Sequence, residues 1–326
     1  MTALRWGILS TARIGTRRVV SSMQAARRCE VAAIASREAN RAVFAARQLG
    51  IPRSYGSYRA LLADPEVDAV YNPLPNHLHA EWTIAALEAG KHVLCEKPIG
   101  LSSKEAHRMD EVARKAGRVL VEAFMYRFHP TWATTRRLIE AGRIGELRAV
   151  QSWFSFFNDD PGDIRNVAAY GGGAMLDIGC YCVDLSRMLM GGEPTAVSAA
   201  VRRDPASGVD VLVAAVLEFG DRLASFGVSI RAEADQRVVV YGSEGRITHE
   251  IPFNVPGDRP TRVLLHRGAP TPPQEPAEVL PFPPADMYTL QAEAFAAAVL
   301  DGAPLPLPMS DSIANMEVIE RILAAG

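Results

Sequence analysis

Apolar and polar positions follow two rhythms along the first third of the chain. Short apolar or β-branched runs stand at "LRWGIL" (4–9), "EVAAIAS" (30–36), "VDAVYNP" (67–73), "HVLCE" (92–96) and "VLVEAF" (119–124). Between them, Ala-, Arg- and Glu-rich segments of helical length cover 13–27, 38–49, 77–89 and 102–116. Near-continuous apolar strands are what a parallel sheet needs when helices cover both of its faces. Gly50, Gly90 and Gly117 each follow a helical segment, where a left-handed C-cap is wanted. The alternation predicts a doubly wound parallel sheet, an α/β domain over residues 1–123.

Beyond residue 124 the rhythm changes. A helix is expected over 131–141, a long strand over "ELRAVQSWFSFF" (146–157), and a helix over 174–190 after a Gly-rich turn. From 194 to 266, "PTAVSAAVRR", "DVLVAAVLEF", "RLASFGVSIRA", "QRVVVYG", "GRITHEI" and "TRVLLH" succeed one another through short turns. Such a run predicts a large antiparallel or mixed sheet. The Pro-rich stretch 270–284 reads as a loop, and two helices close the chain near 286–301 and 310–324. Tyr288, Ala292, Phe295 and Val299 share one face of the first. Residues 124–326 thus form an α+β domain, with room for the closing helices (286–324) to pack back toward the first. Strand alternation sends half of Trp153, Phe154, Phe156 and Phe157 to the core and half to a dimer interface or cleft wall.

Composition narrows the class. A chain of 326 residues exceeds one ordinary core and suggests two domains. Charges are balanced, 35 Lys and Arg against 37 Asp and Glu, with no long run of one sign; this points away from nucleic acid and anionic membranes. No apolar stretch approaches the ~20 residues of a membrane span, and "MTALRWGIL" lacks the pattern of a signal peptide. The four scattered cysteines read as reduced thiols of a cytoplasmic protein. Cys180 and Cys182 lack zinc spacing, and His77 and His79, two apart, do not share a helix face, so no metal is expected.

Three segments carry candidate chemistry. "GILSTARIG" (7–15) stands where a dinucleotide-binding G-x-G-x-x-G turn belongs, with Ser10, Ala12 and Gly15 at the glycine positions. It reads either as a ligand-free strand–turn–helix or as a turn whose helix-start N–H groups hold a pyrophosphate. On the second reading Ser10, Thr11, Ala12, Arg13 and Ile14 contact the cofactor. The second strand ends in Ser36 and Arg37 instead of an acidic residue, which suits the 2′-phosphate of NADP better than the ribose of NAD. "CEKPIG" (95–100) places Lys97 at the mouth of the fifth strand, where open α/β sheets bind ligands. In "GGGAMLDIGCYCVDLSRML" (171–189), Asp177, Tyr181 and Asp184 form one polar stripe at helical spacing. The stripe is either a buried structural network or a site in which Tyr181, acidified by Lys97 across a cleft, exchanges a proton with a substrate hydroxyl.

These motifs, in this order, resemble the glucose–fructose oxidoreductase, inositol dehydrogenase and rhizopine-catabolism (Gfo/Idh/MocA) family over essentially the whole chain. The resemblance rests on "RWGILSTARIG", "VDAVYNPLPNHLHAEWTIAALEAGKHVLCEKPIG", "VEAFMYRFHP", "GDIR" and "GGGAMLDIGCYCVDL". It implies an N-terminal Rossmann domain and a C-terminal, mostly antiparallel open sheet that often serves as a dimer contact. It also implies that Lys97 is the catalytic lysine, with Glu96 its neighbour, and that Asp177 is the acidic member of the second motif. Tyr181 stands where most of the family has His; this is similar to the branch holding D-xylose 1-dehydrogenase, dimeric dihydrodiol dehydrogenase and sugar ketoreductases. By the same resemblance Arg165 lies near substrate or cofactor phosphates, and Asn72, Pro73, Leu74, Asn76 and His79 line the nicotinamide side. The implied activity is NADP-dependent oxidation of an aldopyranose to a lactone. Reduction of a keto-sugar comes second and a dihydrodiol substrate third. A non-catalytic cofactor sensor is the reading of another class; its mark would be the loss of Lys97 or of the Tyr/His position.

Overall fold

The computed structural model describes residues 2–268, 278–305 and 307–326. They fall into two compact units, one of Met1–Met125 with Tyr288–Ile313, the other of Tyr126–Met287 with Ala314–Gly326.

The first unit is a parallel sheet of β1 (Leu4–Leu9), β2 (Cys29–Ala35), β3 (Arg53–Tyr55), β4 (Ala69–Asn72), β5 (His92–Cys95) and β6 (Leu120–Glu122). Its order, β3-β2-β1-β4-β5-β6, is that of a Rossmann fold, with the direction of winding reversing between β1 and β4. β1 and β4 are almost wholly buried because helices cover both faces. Helices Ala39–Leu49 and Ser103–Ala116 end on Gly50 and Gly117 at φ +65° and +62°, the left-handed caps expected there. β3 and the short helix Tyr58–Leu62 carry too few residues to show a period and are additions to the sequence reading. The helix Met287–Asp301 contributes to this unit: Phe295 lies 4.9 Å from Trp6, and Glu293 and Asp301 pair with Arg27 and Arg28. Of its expected apolar face Tyr288, Ala292 and Phe295 are buried, while Val299 is half-buried.

The second unit is built on an eight-stranded sheet, in the order β14-β13-β12-β11-β7-β10-β9-β8. The strands are β7 (Leu147–Phe157), β8 (Ala196–Arg203), β9 (Asp210–Phe219), β10 (Arg222–Ser229), β11 (Arg231–Gly242), β12 (Gly245–His249), β13 (Thr261–Arg267) and β14 (Glu278–Phe282). All neighbours are antiparallel except β7 and β10. Two boundaries correct the sequence reading. "RLASFGVSIRA" ends β10 at Ser229 and starts β11 at Arg231, with no Gly or Pro to announce the change. Residues 278–282 of the expected Pro-rich loop form β14, while 270–277 lie outside the described residues. On β9, Val213, Ala215, Leu217 and Phe219 face inward and Leu212, Ala214, Val216 and Glu218 outward, the period of two of a half-covered sheet. Helix Cys180–Met190, buried over nearly its whole length, packs on β7 and β10. Phe154 is buried beneath the sheet while Trp153 and Phe157 are exposed, 37% and 63%.

Candidate active site

β1 runs into Ser10, whose φ of +94° is one that glycine usually occupies. Its N–H bonds the Ala35 carbonyl at the end of β2, and its hydroxyl oxygen accepts the Ala12 N–H at 3.2 Å. Ser10 therefore keeps the turn that the first glycine would make. Gly15 is less constrained, because a Cβ there would meet Pro73 and Tyr71 at an ordinary 3.6 Å. A wide π-type turn, Gly15–Val19, opens the following helix without a side-chain cap. Thr11, Ala12 and Ile14 are half-buried and Arg13 is exposed. At the end of β2, Ser36 is buried and its hydroxyl accepts the Glu38 N–H, while Arg37 is exposed. Arg37 reaches the Tyr58 hydroxyl, a residue the sequence reading missed; burial raises the pKa of that phenol and Arg37 offsets part of the rise. Glu38, next in the chain, is engaged by Arg41 at 2.9 Å.

The loops after β4 and β5 form a second cluster. Asn72, wholly buried, donates to the His79 carbonyl (3.3 Å) and the Thr83 hydroxyl (3.1 Å) and accepts the Leu74 N–H (3.3 Å). His79, expected beside the cofactor, is 1% exposed, with both ring nitrogens on backbone oxygens: Nδ1 at 2.7 Å from Pro98 and Nε2 at 2.6 Å from Leu74. Burial lowers its pKa to about 4, against the pull of those two carbonyls. Pro73 and Leu74 are buried and Asn76 is half-buried. Glu96 accepts from the Tyr71 hydroxyl at 2.6 Å, a partner with no motif to announce it. Lys97 follows, half-buried, and is joined to Pro98 by a cis peptide.

In the second unit, Arg165 donates from Nε to Asp177 at 2.7 Å and from Nη1 to Asp163 at 3.3 Å, over the ring of Phe156. Asp177 in the first place and burial in the opposite sense set the Arg165 pKa, which ends above its usual value. Burial pushes the Asp163 carboxyl up, but the Arg165 N–H and guanidinium win and its pKa ends low. Asp177 lies on the π-type turn Met175–Gly179, the kind of helix irregularity that recurs at functional sites. Tyr181, 5% exposed, follows on helix Cys180–Met190 with its ring 5.4–5.9 Å from those of Phe253, Phe154 and Tyr126. Asp184 parts from this pair. It is 1% exposed and accepts from the Tyr126 hydroxyl and from Arg127, so this member of the stripe belongs to a buried network.

The turn before that helix explains the triple glycine. Gly171 and Gly173 have φ of +73° and +112°, and a Cβ on Gly172 would fall 2.5 Å from the Arg165 carbonyl. The buried Asp210 accepts the Met175 N–H at 2.7 Å; burial raises its pKa to about 6, while that N–H pulls it down. Among the described residues no three His, Cys, Asp or Glu cluster to hold a metal ion, and no helix is long and apolar enough to cross a membrane.

Known proteins resemble the chain along its length. Residues 4–124 match an oxidoreductase family with an NAD-binding Rossmann fold, and residues 132–248 match the GFO/IDH/MocA C-terminal domain. An uncharacterized oxidoreductase of Rhizobium meliloti is 44% identical, the match covering 99% of this chain and 96% of that protein. D-xylose 1-dehydrogenase (NADP(+)) 2 of Haloferax volcanii is 40% identical over 98% of this chain and 96% of its own. Among solved structures, KijD10, a 3-ketoreductase from Actinomadura kijaniata in complex with NADP and TDP-benzene, matches with a TM-score of 0.92. It is 33% identical, with 99% of this chain and 98% of that one covered.

Proposed function

Because the chain belongs to the GFO/IDH/MocA oxidoreductase family, we propose that it is an NADP-dependent sugar dehydrogenase that oxidises an aldopyranose at its anomeric carbon to the lactone. The observation that carries this reading is the 40% identity, along nearly the whole chain, to an NADP-dependent D-xylose 1-dehydrogenase. The residues fit the cofactor. The uncapped helix start after Ser10 offers N–H groups to a pyrophosphate, and Ser36 with Arg37 offers a hydroxyl and a cation to a 2′-phosphate.

When bound, oxidised nicotinamide supplies the acceptor for the hydride leaving the anomeric carbon. The Tyr181 oxygen takes the proton of the anomeric hydroxyl, and the Lys97 ammonium stabilises the charge that develops on the anomeric oxygen. Asp177, held by Arg165, accepts hydrogen bonds from sugar hydroxyls and fixes the ring. Asn72, Pro73, Leu74 and Asn76 shape the nicotinamide side, and Glu96 orients Lys97 through the chain. The outward face of the large sheet, with Trp153, Leu212, Val216 and Leu223 exposed, supports a homodimer, and four scattered cysteines, none of them in a disulfide, support a cytoplasmic location. A second reading, reduction of a keto-sugar by the same residues, is favoured by the likeness to the 3-ketoreductase.

The test is absorbance of reduced nicotinamide with NADP⁺ or NAD⁺ against D-xylose, D-glucose, an inositol and a trans-dihydrodiol, and with NADPH against a keto-sugar. Turnover with NADP⁺ and an aldose is expected, falling about 10²–10⁴-fold in Lys97→Ala and Tyr181→Phe. A preference for NAD⁺ overturns the role given to Ser36 and Arg37. Silence with the aldoses beside activity on a keto-sugar replaces the first reading with the second. NADP binding without turnover on any of them leaves a sensor.

A further inference from the structure

The segment following Lys97 is held almost peptide by peptide by buried side chains. The Pro98 carbonyl lies 2.7 Å from His79 Nδ1 and accepts from it in the Nδ1–H tautomer. The N–H of the same peptide unit, that of Ile99, donates to Glu122 Oε1 at 2.8 Å. The Ile99 carbonyl faces the Cys95 thiol at 3.9 Å, and the Leu101 N–H donates to Glu105 at 2.7 Å. His79 comes from the helix after β4 and Glu122 from the end of β6, so elements on both sides of β5 grip one peptide plane. Each is 1% exposed. An imidazole this deeply buried, with both nitrogens on carbonyl oxygens, has no edge left for substrate or cofactor. A neutral imidazole has a single N–H, so in the Nδ1–H tautomer Nε2 faces the Leu74 carbonyl at 2.6 Å without donating to it.

We propose that His79 and Glu122 are positioning residues that aim the Lys97 ammonium by clamping the Pro98–Ile99 peptide next to it. A peptide plane gripped at both its oxygen and its hydrogen cannot swing, so the lysine one residue before it leaves the backbone in one direction. The idea rests on the catalytic role given to Lys97. Displacing a reacting group by about 1 Å costs on the order of 10²-fold in rate, which is the loss expected when the clamp opens. This assignment moves His79 from the cofactor surface to the support beneath it.

The test reads Lys97 directly as well as through activity. Trace acetylation followed by mass spectrometry compares labelling of Lys97 with that of the exposed Lys115 in the wild type, His79→Leu and Glu122→Leu. His79→Gln and Glu122→Gln, which keep a polar group at each place, are run beside them and carry the comparison if a leucine variant fails to fold. In the leucine variants the Lys97-to-Lys115 labelling ratio is expected to move toward one. With NADP⁺ and D-xylose, kcat should fall about a hundredfold, while NADPH affinity, read by fluorescence, changes little. The glutamine variants should fall between these and the wild type in both measures. An unchanged labelling ratio and kcat in folded variants overturns the clamp. Weakened NADPH binding at unchanged kcat returns His79 to the cofactor surface. Turnover surviving in Lys97→Ala refutes the catalytic lysine alone, since the labelling ratio still reports whether the clamp sets its position.

Discussion

Gly173→Ala is the sharpest perturbation the second unit offers. Gly173 has φ +112°, and a Cβ there would stand 2.1 Å from Asp210 Oδ1 and 2.8 Å from its Cγ. The backbone strain costs about 1–2 kcal/mol. The carboxylate must also move, and its other oxygen holds the Met175 N–H at 2.7 Å. Losing a hydrogen bond to a charged group adds about 1.5–3 kcal/mol, and the 4% exposure of Asp210 leaves little water to replace it. Gly191→Ala is the control: its φ is +73° and nothing lies within 4 Å, so it bears the strain alone. Both glycines lie in the same unit, so thermal melts compare like with like. At about 2–4 °C per kcal/mol for a unit of this size, Gly173→Ala should melt roughly 3–12 °C below Gly191→Ala. Because Gly173 accepts the Asp177 N–H and donates to the Arg165 carbonyl, it should also lose turnover that Gly191→Ala keeps. Equal melting points would refute the reasoning, since the Asp210 contact would then cost nothing.

The buried histidines make stability depend on pH. Burial lowers His79, His92 and His129 to about 4 and His249 to about 3, so between those values and about 6.5 the unfolded chain binds protons that the folded one does not. Stability is therefore present above about pH 6.5 and lost as the pH falls toward 4, by at most about 3 kcal/mol per ring. Asp210, raised to about 6, acts with the opposite sign in part of this range. Urea midpoints from pH 7 to pH 4 check the balance, and a flat profile would contradict it. On the outward sheet face, a cavity of about 590 Å³ lies where the Trp153 ring crosses Gly227, bordered by Ala214 and Val216. Val216→Arg should convert a sedimenting dimer to a folded monomer, and a wild type that sediments as monomer refutes the dimer.

What was legible in the chain is what side-chain type encodes. The Rossmann strands could be read from apolar runs because both faces of the sheet are covered, whereas β3, three residues long, has no period to read. The parallel pairing of β10 with β7 was not legible, since the chain turns from β10 into β11 at Ile230 without a turn residue. Spacing placed Asp177, Tyr181 and Asp184 on one stripe, yet it could not say that Asp184 turns to Tyr126 and Arg127, 58 and 57 residues away in sequence. The glycine rule marked a turn whose backbone constraints fall the other way round. The residue in the positive-φ position is Ser10, while Gly15 has room for a methyl. Least visible were the contacts made to backbone. His79 and Glu122 act on the carbonyl and N–H of one peptide, groups that every residue pair supplies and no motif can mark. Glu122 did leave a trace, a carboxylate inside the apolar run "VLVEAF", and Asp210 left the same trace at the head of "DVLVAAVLEF". Burying a charge is costly unless something meets it. At Glu122 and Asp210 the buried carboxylate meets a backbone N–H, whereas Glu218, in the same run as Asp210, faces outward and needs no such partner.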